Sequence, residues 1–129
     1  MRGIEIWVHS QTDNALAFDL VDILRAIGPQ AEQSIWKIEG LECFGDAAEL
    51  LHDISDNGRT IDGKKLVRLA DQVYQTIDGY ISGYRNDTDE QPWIIVRAVD
   101  GTSFDVECAD PVVLDRLRQR FNTVTDLPS

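Results

Sequence analysis

One segment, PWIIVRAVDGTSFDVEC at residues 92–108, constrains the fold more than any other part of the chain. Beyond its Asp-Gly dipeptide, apolar and charged residues alternate with a period of two, which is typical of a strand with one buried face. Asp-Gly between two such runs is a strong signal for a tight hairpin turn. The segment therefore predicts two antiparallel strands joined at this dipeptide.

Two registers are possible for the hairpin, and they bring different side chains together. A two-residue turn at Asp100 and Gly101 places Arg97 opposite Phe104, among apolar side chains. A loop with an odd number of residues places Arg97 opposite Asp105 instead and leaves one face wholly apolar. Turn chemistry favours the first register, whereas the cost of burying an unpaired guanidinium favours the second. The sequence leaves both open, with a slight preference for the second.

Periodic patterns in the rest of the chain predict the order β-α-β-α-α-β-β-α. Strands are predicted over residues 3–9 and 34–43, with a bulge or bend at Gly40 in the second. Helices are predicted over about 12–28, 46–54, 66–84 and 110–121, and the third is the longest because apolar residues recur there at steps of three and four. Thr12 or Asp13 is the predicted cap of the first helix, and Asp110 followed by Pro111 is the predicted start of the last. The predicted fold class is α+β: one domain over residues 1–129, a roughly four-stranded sheet with packed helices, and a loose tail over about 122–129.

The charge of the chain limits its partners. It has 23 acidic and 12 basic residues, a formal net charge of −11. Such a surface repels phosphate backbones and anionic lipids, so the sequence predicts neither nucleic-acid nor membrane binding. The charge suits a basic protein partner, or it serves solubility alone.

The location predicted for the protein is cytoplasmic. The first residues lack the apolar core of a secretory signal, and no apolar run is long enough to span a membrane. Cys43 and Cys108 stand alone in apolar surroundings, which favours two buried free thiols in a reducing compartment over a disulfide.

The segment DISDNGRTIDGKK resembles part of the calcium-binding loop of the EF-hand family. Asp53, Ser55 and Asn57 fall at alternate positions, and Gly58 falls where the family makes its sharp turn. The twelfth position, which in the family is a bidentate glutamate, is Lys64. An ammonium group repels the cation, so the segment is predicted to be a polar connection between helices.

No motif in the chain predicts a cofactor, a metal or a catalytic site. His9, His52, Cys43 and Cys108 occur singly, without the paired spacing of zinc ligands, and form a Cys–His pair only if the fold brings them together. Phosphate-binding glycine motifs are absent. An enzyme that uses one of the histidines with acidic residues is accordingly the least favoured hypothesis.

The favoured hypothesis is a small acidic binding module without catalysis, whose partner is a basic protein or a second copy of the chain. Toxin-neutralising immunity proteins and nuclease inhibitors resemble it in size and charge. The candidate aromatic binding residues are Trp7, on the polar-looking face of the first strand, and Tyr80 and Tyr84, which are four residues apart near the end of the predicted longest helix. The candidate acidic binding residues are Asp53 and Asp56.

A small-molecule-binding regulatory domain is the alternative hypothesis. Its pocket would lie between the longest helix and the sheet. Trp36, Trp93 or Tyr80 would line it.

Overall fold

Seven antiparallel strands form one sheet, and five helices accompany it in the computed structural model, which describes residues 1–8 and 18–128. In chain order the elements are β1 (Arg2–Trp7), α1 (Leu20–Ile27), α2 (Pro29–Gln33), β2 (Ile35–Gly45), α3 (Ala48–Asp56), β3 (Thr60–Asp62), α4 (Gly63–Ala70), β4 (Val73–Tyr84), β5 (Ile94–Val99), β6 (Ser103–Cys108), α5 (Pro111–Arg120) and β7 (Val124–Asp126). The strand order across the sheet is β3-β2-β4-β5-β6-β1-β7.

The molecule is a single-domain α+β fold, but the predicted four-stranded sheet is wrong. Three strands were missed: β3, β4 and β7. Two of them, β3 and β7, have three residues each and lie at the two edges of the sheet, where short strands offer little backbone for unwanted pairing. Strands this short carry too few residues for a recognisable alternation. The segment 122–129, for which the sequence predicts a loose tail, contains β7, which pairs with β1.

The largest correction concerns the predicted longest helix over residues 66–84. Helix α4 ends at Ala70, and the second half of the segment is β4 (Val73–Tyr84). A step of four residues fits a strand as well as a helix, because four is a multiple of the strand period of two. Composition decides between them: this half is rich in aromatic and β-branched residues, which favour strands, and contains Gly79 and Gly83, which disfavour helices.

The hairpin between β5 and β6 adopts the second of the two registers, with Arg97 opposite Asp105. Its loop nevertheless keeps the turn chemistry of the dipeptide. Asp100 and Gly101 have φ angles of 53° and 68°, as a tight hairpin turn of the primed type requires. The Thr102 N–H donates to the carbonyl oxygen three residues earlier, at 3.0 Å. Thr102 is the additional loop residue that moves the register by one position.

One face of the sheet packs against the helices and forms the core. Directly opposite residues on neighbouring strands share this face, and their side chains are at most 4% exposed. They are Ile4, Ile6, Trp36, Ile38, Ile81, Ile94, Val96, Ala98, Phe104 and Val106. Burial of each large apolar side chain contributes about 1.5–3 kcal/mol, so this face dominates the stability of the fold.

The helix caps are partly those the sequence predicts. Asp110 caps α5 by accepting from the Val112 N–H, and proline occupies the first helical position, as predicted. The predicted caps of the first helix, Thr12 and Asp13, lie outside the described residues. Helix α1 begins at Leu20, with Asp19 as its N-cap.

Helix α3 covers the part of β2 that extends beyond β3. Leu41 donates its backbone N–H to Ser55 Oγ at 3.2 Å, and Cys43 donates its own to His52 Nε2 at 3.3 Å. The Ser55 and His52 side chains thus accept backbone hydrogen bonds of β2 that the carbonyl groups of a further strand would otherwise accept. The predicted bulge is confirmed, because the pairing of β2 with β4 shifts around Gly40, which has a φ of 59°.

No helix in the described part of the chain is long and apolar enough to cross a membrane.

Candidate functional site: the open face of the sheet

The face of the sheet opposite the helices carries charged and aromatic side chains, and no helix among residues 1–8 and 18–128 covers it. We call this surface the open face and define it by eleven residues that alternate with core residues along their strands. They are Glu5, Trp7, Lys37, Glu39, Asp62, Tyr80, Tyr84, Ile95, Arg97, Asp105 and Glu107. Five of these residues are acidic and two are basic, so the open face is acidic like the chain as a whole.

A single row of charged and aromatic side chains crosses the middle of the open face. Glu5, Asp105, Arg97, Tyr80 and Glu39 lie directly opposite one another on β1, β6, β5, β4 and β2. The Arg97 guanidinium carbon lies 5.1 Å from the centre of the Tyr80 ring, a cation–π arrangement. The row therefore has a basic and aromatic centre between acidic residues.

Glu5 and Asp105, at one end of this row, lie directly opposite each other on β1 and β6, where side chains are close enough to interact. Two carboxyl groups hydrogen-bond to each other only when one of them holds a proton. Partial burial, and then the proximity of Asp105, raise the pKa of Glu5. Partial burial also raises the pKa of Asp105, although Arg97 and the bond from Glu5 partly oppose the shift. Buried Asp105 Oδ1 has no hydrogen-bond donor in the described residues when both groups are ionised.

An acidic cleft continues the open face beyond the end of β4. Its volume is about 570 Å³, and Tyr84, Lys37 and Asp62 form part of its wall. The loop that follows β4 adds Asp87, Asp89 and Glu90 to its lining. The cleft therefore suits cationic groups, as the open face does.

The predicted aromatic binding residues all lie on the open face. Trp7 is 42% exposed on β1, whereas Tyr80 and Tyr84 are partly buried on β4. Three strand spacings, about 14 Å, separate β1 from β4, so Trp7 does not join the two tyrosines in one cluster. The binding role of these residues stays a prediction.

The two predicted acidic binding residues lie elsewhere. Asp53 and Asp56 belong to α3, outside the open face. The Asp53 carboxylate accepts from Arg59 at 2.6 Å and from the Asn57 side chain at 2.9 Å. Part of the charge predicted to attract a partner is thus balanced within the chain.

Sequence reasoning missed the role of Glu5 in the central row. Its strand was predicted, and one hairpin register placed Arg97 opposite Asp105, but the sequence does not show that β1 pairs with β6. Alternation identifies the face of a strand, whereas neighbouring strands are known only once the topology is known.

The fold brings Cys43 and His52 together, with Sγ and Nε2 3.8 Å apart. This contact does not activate the thiol, because Nε2 already accepts the Cys43 backbone N–H. Burial, aided by Asp19, raises the pKa of the Cys43 thiol to about 11, so at neutral pH it holds its proton and is a poor nucleophile. His9 lies outside the described residues, and those residues contain no group of three metal-ligating side chains.

The residues proposed to line a pocket between the longest helix and the sheet lie mostly in the core. Trp36 is 0% exposed and donates to the Ala31 carbonyl oxygen at 2.8 Å. Trp93 is 5% exposed and donates to Ser34 Oγ at 2.9 Å. The second half of the helix that was predicted to form one wall of the pocket is strand β4 (Val73–Tyr84), so the structure has no pocket between that helix and the sheet.

No protein-family model, curated protein or solved structure matches this chain. The functional argument accordingly depends on the chemistry of the open face.

Proposed function

We propose that the chain is a non-catalytic protein-binding module that docks a basic protein on the open face of its sheet. One observation carries the proposal: acidic and aromatic side chains share a sheet face that no described helix covers. In a chain with a net charge of −11, that face presents five acidic residues against two basic ones.

Few of the acidic residues on the open face are neutralised by ion pairs within the described chain. On the helical side Arg25 pairs with Asp71 at 2.9 Å and Arg118 pairs with Asp126 at 2.6 Å. On the open face the described ion pair is Lys37 with Glu39, at 3.4 Å. Glu5, Asp62, Asp105 and Glu107 form no ion pair with a described residue, so their charge can attract an external cation.

The two kinds of side chain have different roles in the proposed complex. Acidic residues accelerate association with a basic partner through long-range attraction that salt screens. Aromatic residues supply contact area after docking, and such residues often provide a large part of binding energy. Trp7, Tyr80 and Tyr84 are the aromatic residues placed for that role.

The charge of the face also favours one of the two predicted kinds of partner. A second copy of the chain would bring an equally acidic face, and like charges brought together oppose association. A basic protein has the complementary charge. We further propose a reducing, cytoplasmic location, which the free and buried thiols Cys43 and Cys108 support.

An affinity experiment with matched variants tests the proposal. The wild-type chain, an open-face variant (Glu39→Lys with Glu107→Lys) and a helical-side variant with the same charge change (Glu32→Lys with Glu49→Lys) are immobilised and exposed to native lysate. A basic protein should be retained at low salt by the wild type and the helical-side variant, and released at high salt. The open-face variant should lose it; equal retention by all three would refute the proposal.

A further inference from the structure

The Glu5–Asp105 pair occupies an unusual position on the open face. The two residues lie directly opposite on β1 and β6, where side chains of facing residues are close enough to interact. Among residues 1–8 and 18–128, the charged groups around the pair are Arg97 on β5 and Glu107 on the same strand as Asp105. On the outer side of Glu5, β7 contributes the uncharged Thr125.

Arg97 does not neutralise the pair completely. Its guanidinium lies over the Tyr80 ring and donates no hydrogen bond to Asp105 Oδ1. If both carboxyl groups of the pair are ionised, Oδ1 is therefore buried with no donor among the described residues, and a second negative charge lies beside it. A proton shared by the two carboxyl groups relieves both problems.

A cation brought by a partner would relieve the same two problems. An ammonium or guanidinium group donates hydrogen bonds and compensates negative charge, and in both respects it replaces the shared proton. The proton would then pass to solvent, and both carboxylates would face the cation.

We propose that docking of a basic protein on the open face is coupled to release of the proton shared by Glu5 and Asp105, which makes docking pH-dependent. The inference depends on the proposed function, because it concerns how the same face binds. It adds that the affinity increases with pH through this pair, beyond the effect of the overall charge.

The direction follows from competition between proton and partner. At low pH the pair holds its proton, and a partner must displace it, so binding is weaker. As pH rises the proton leaves without the partner, and binding strengthens by up to about tenfold per pH unit for one released proton. A chain that lacks the pair keeps only the weaker dependence from its other charges.

The test uses decalysine as a defined cationic probe and measures its affinity for the full chain by calorimetry at about pH 5 and about pH 7.5. Asp105→Asn removes the pair. Glu107→Gln removes one charge from the same strand and face but keeps the pair, so it is the matched control. We expect the affinity of the wild type and the control to rise with pH at least about threefold more than that of Asp105→Asn.

Two outcomes separate this inference from the proposed function. An equal pH dependence in Asp105→Asn and the control would overturn proton coupling. If the open-face double variant binds decalysine as tightly as the helical-side variant, the proposed function itself fails.

A measurement on the free chain provides a second test that does not depend on the variants. Nuclear magnetic resonance follows the side-chain carboxyl carbons of Glu5 and Asp105 as pH changes. We expect coupled titrations with both pKa values above the ordinary range. Independent titrations at ordinary values would overturn the inference.

Discussion

The two faces of the sheet are made from alternate residues of the same strands, yet they differ in almost every physical property. Ile38 is 0% exposed on the core face, whereas its neighbour Glu39 is exposed on the open face. The core face is apolar and packed against helices. The open face contains interacting carboxyl groups, a cation–π contact and an acidic cleft.

This difference shows where stability and function are located. Core-face residues hold the helices on the sheet, so changes there cost folding energy. Open-face residues contribute less to packing, and their charge is available for association. Each of the following predictions compares one face with the other.

The largest expected difference is in stability. Ile38→Ala should lower the free energy of unfolding by about 2–5 kcal/mol, because it removes buried methyl groups and leaves a cavity. Glu39→Ala, one residue further along β2, should change it by only about 0.5 kcal/mol. Urea denaturation of the two variants checks this, and equal losses would contradict the assignment of faces.

A smaller loss is expected when an atom is added to the core face. A Cβ on Gly83 would lie 2.8 Å from Ile94 Cγ2 and 3.0 Å from Trp36 Cζ3. Gly83→Ala should therefore cost about 1–3 kcal/mol through overpacking. Ser82→Ala, on the opposite face and without added atoms, is its control. Thermal denaturation compares the melting temperatures of the two variants. A larger decrease for Ser82→Ala than for Gly83→Ala would contradict the assignment of the core face on β4.

The open face should make the stability of the free chain depend on pH. The pKa values of Glu5 and Asp105 in the folded chain lie above their ordinary values of 4.5 and 3.8. At a pH between the ordinary and the raised pKa values, the folded chain therefore binds more protons than the unfolded chain. The contribution of the pair to the free energy of unfolding then falls as pH rises through that window. Urea titrations across the window should show a flatter profile for Asp105→Asn; identical profiles would contradict the interaction.

The smallest effect is expected from the acidic residues of α3. The sequence predicts that charge reversal of Asp53 and Asp56 slows association strongly at low salt. Asp53 pairs with Arg59 at 2.6 Å, whereas the pair of Glu39 with Lys37 is longer, at 3.4 Å, and Glu107 has no ion pair with a described residue. We therefore expect this reversal to slow association less than reversal of Glu39 and Glu107 does. Stopped-flow association with the retained basic protein at low salt compares them, and the opposite ranking would move the docking surface to α3.

Local chemistry explains what the sequence predicts correctly. The hairpin, the bulge at Gly40 and the cap of α5 each depend on residues close together in the chain. The arrangement of the strands depends on distant pairing, such as β1 with β6, which alternation does not encode. Steps of four between apolar residues are shared by helices and strands, so β4 was missed.

The same limit applies to the candidate site. Trp7 was predicted from alternation along its strand, and Tyr80 and Tyr84 from their four-residue spacing, and both patterns are local. The pairing of Glu5 with Asp105 joins residues a hundred positions apart. Only the strand order brings their carboxyl groups together.

Carboxyl footprinting of the complex tests the central claim most directly. A carbodiimide label is applied to the free chain and to the chain bound to the retained basic protein, and modified residues are identified by mass spectrometry. The account predicts that Glu39 and Glu107 become protected, whereas Glu32 and Glu49 stay reactive. Protection of Glu32 and Glu49 with Glu39 and Glu107 still labelled would contradict docking on the open face.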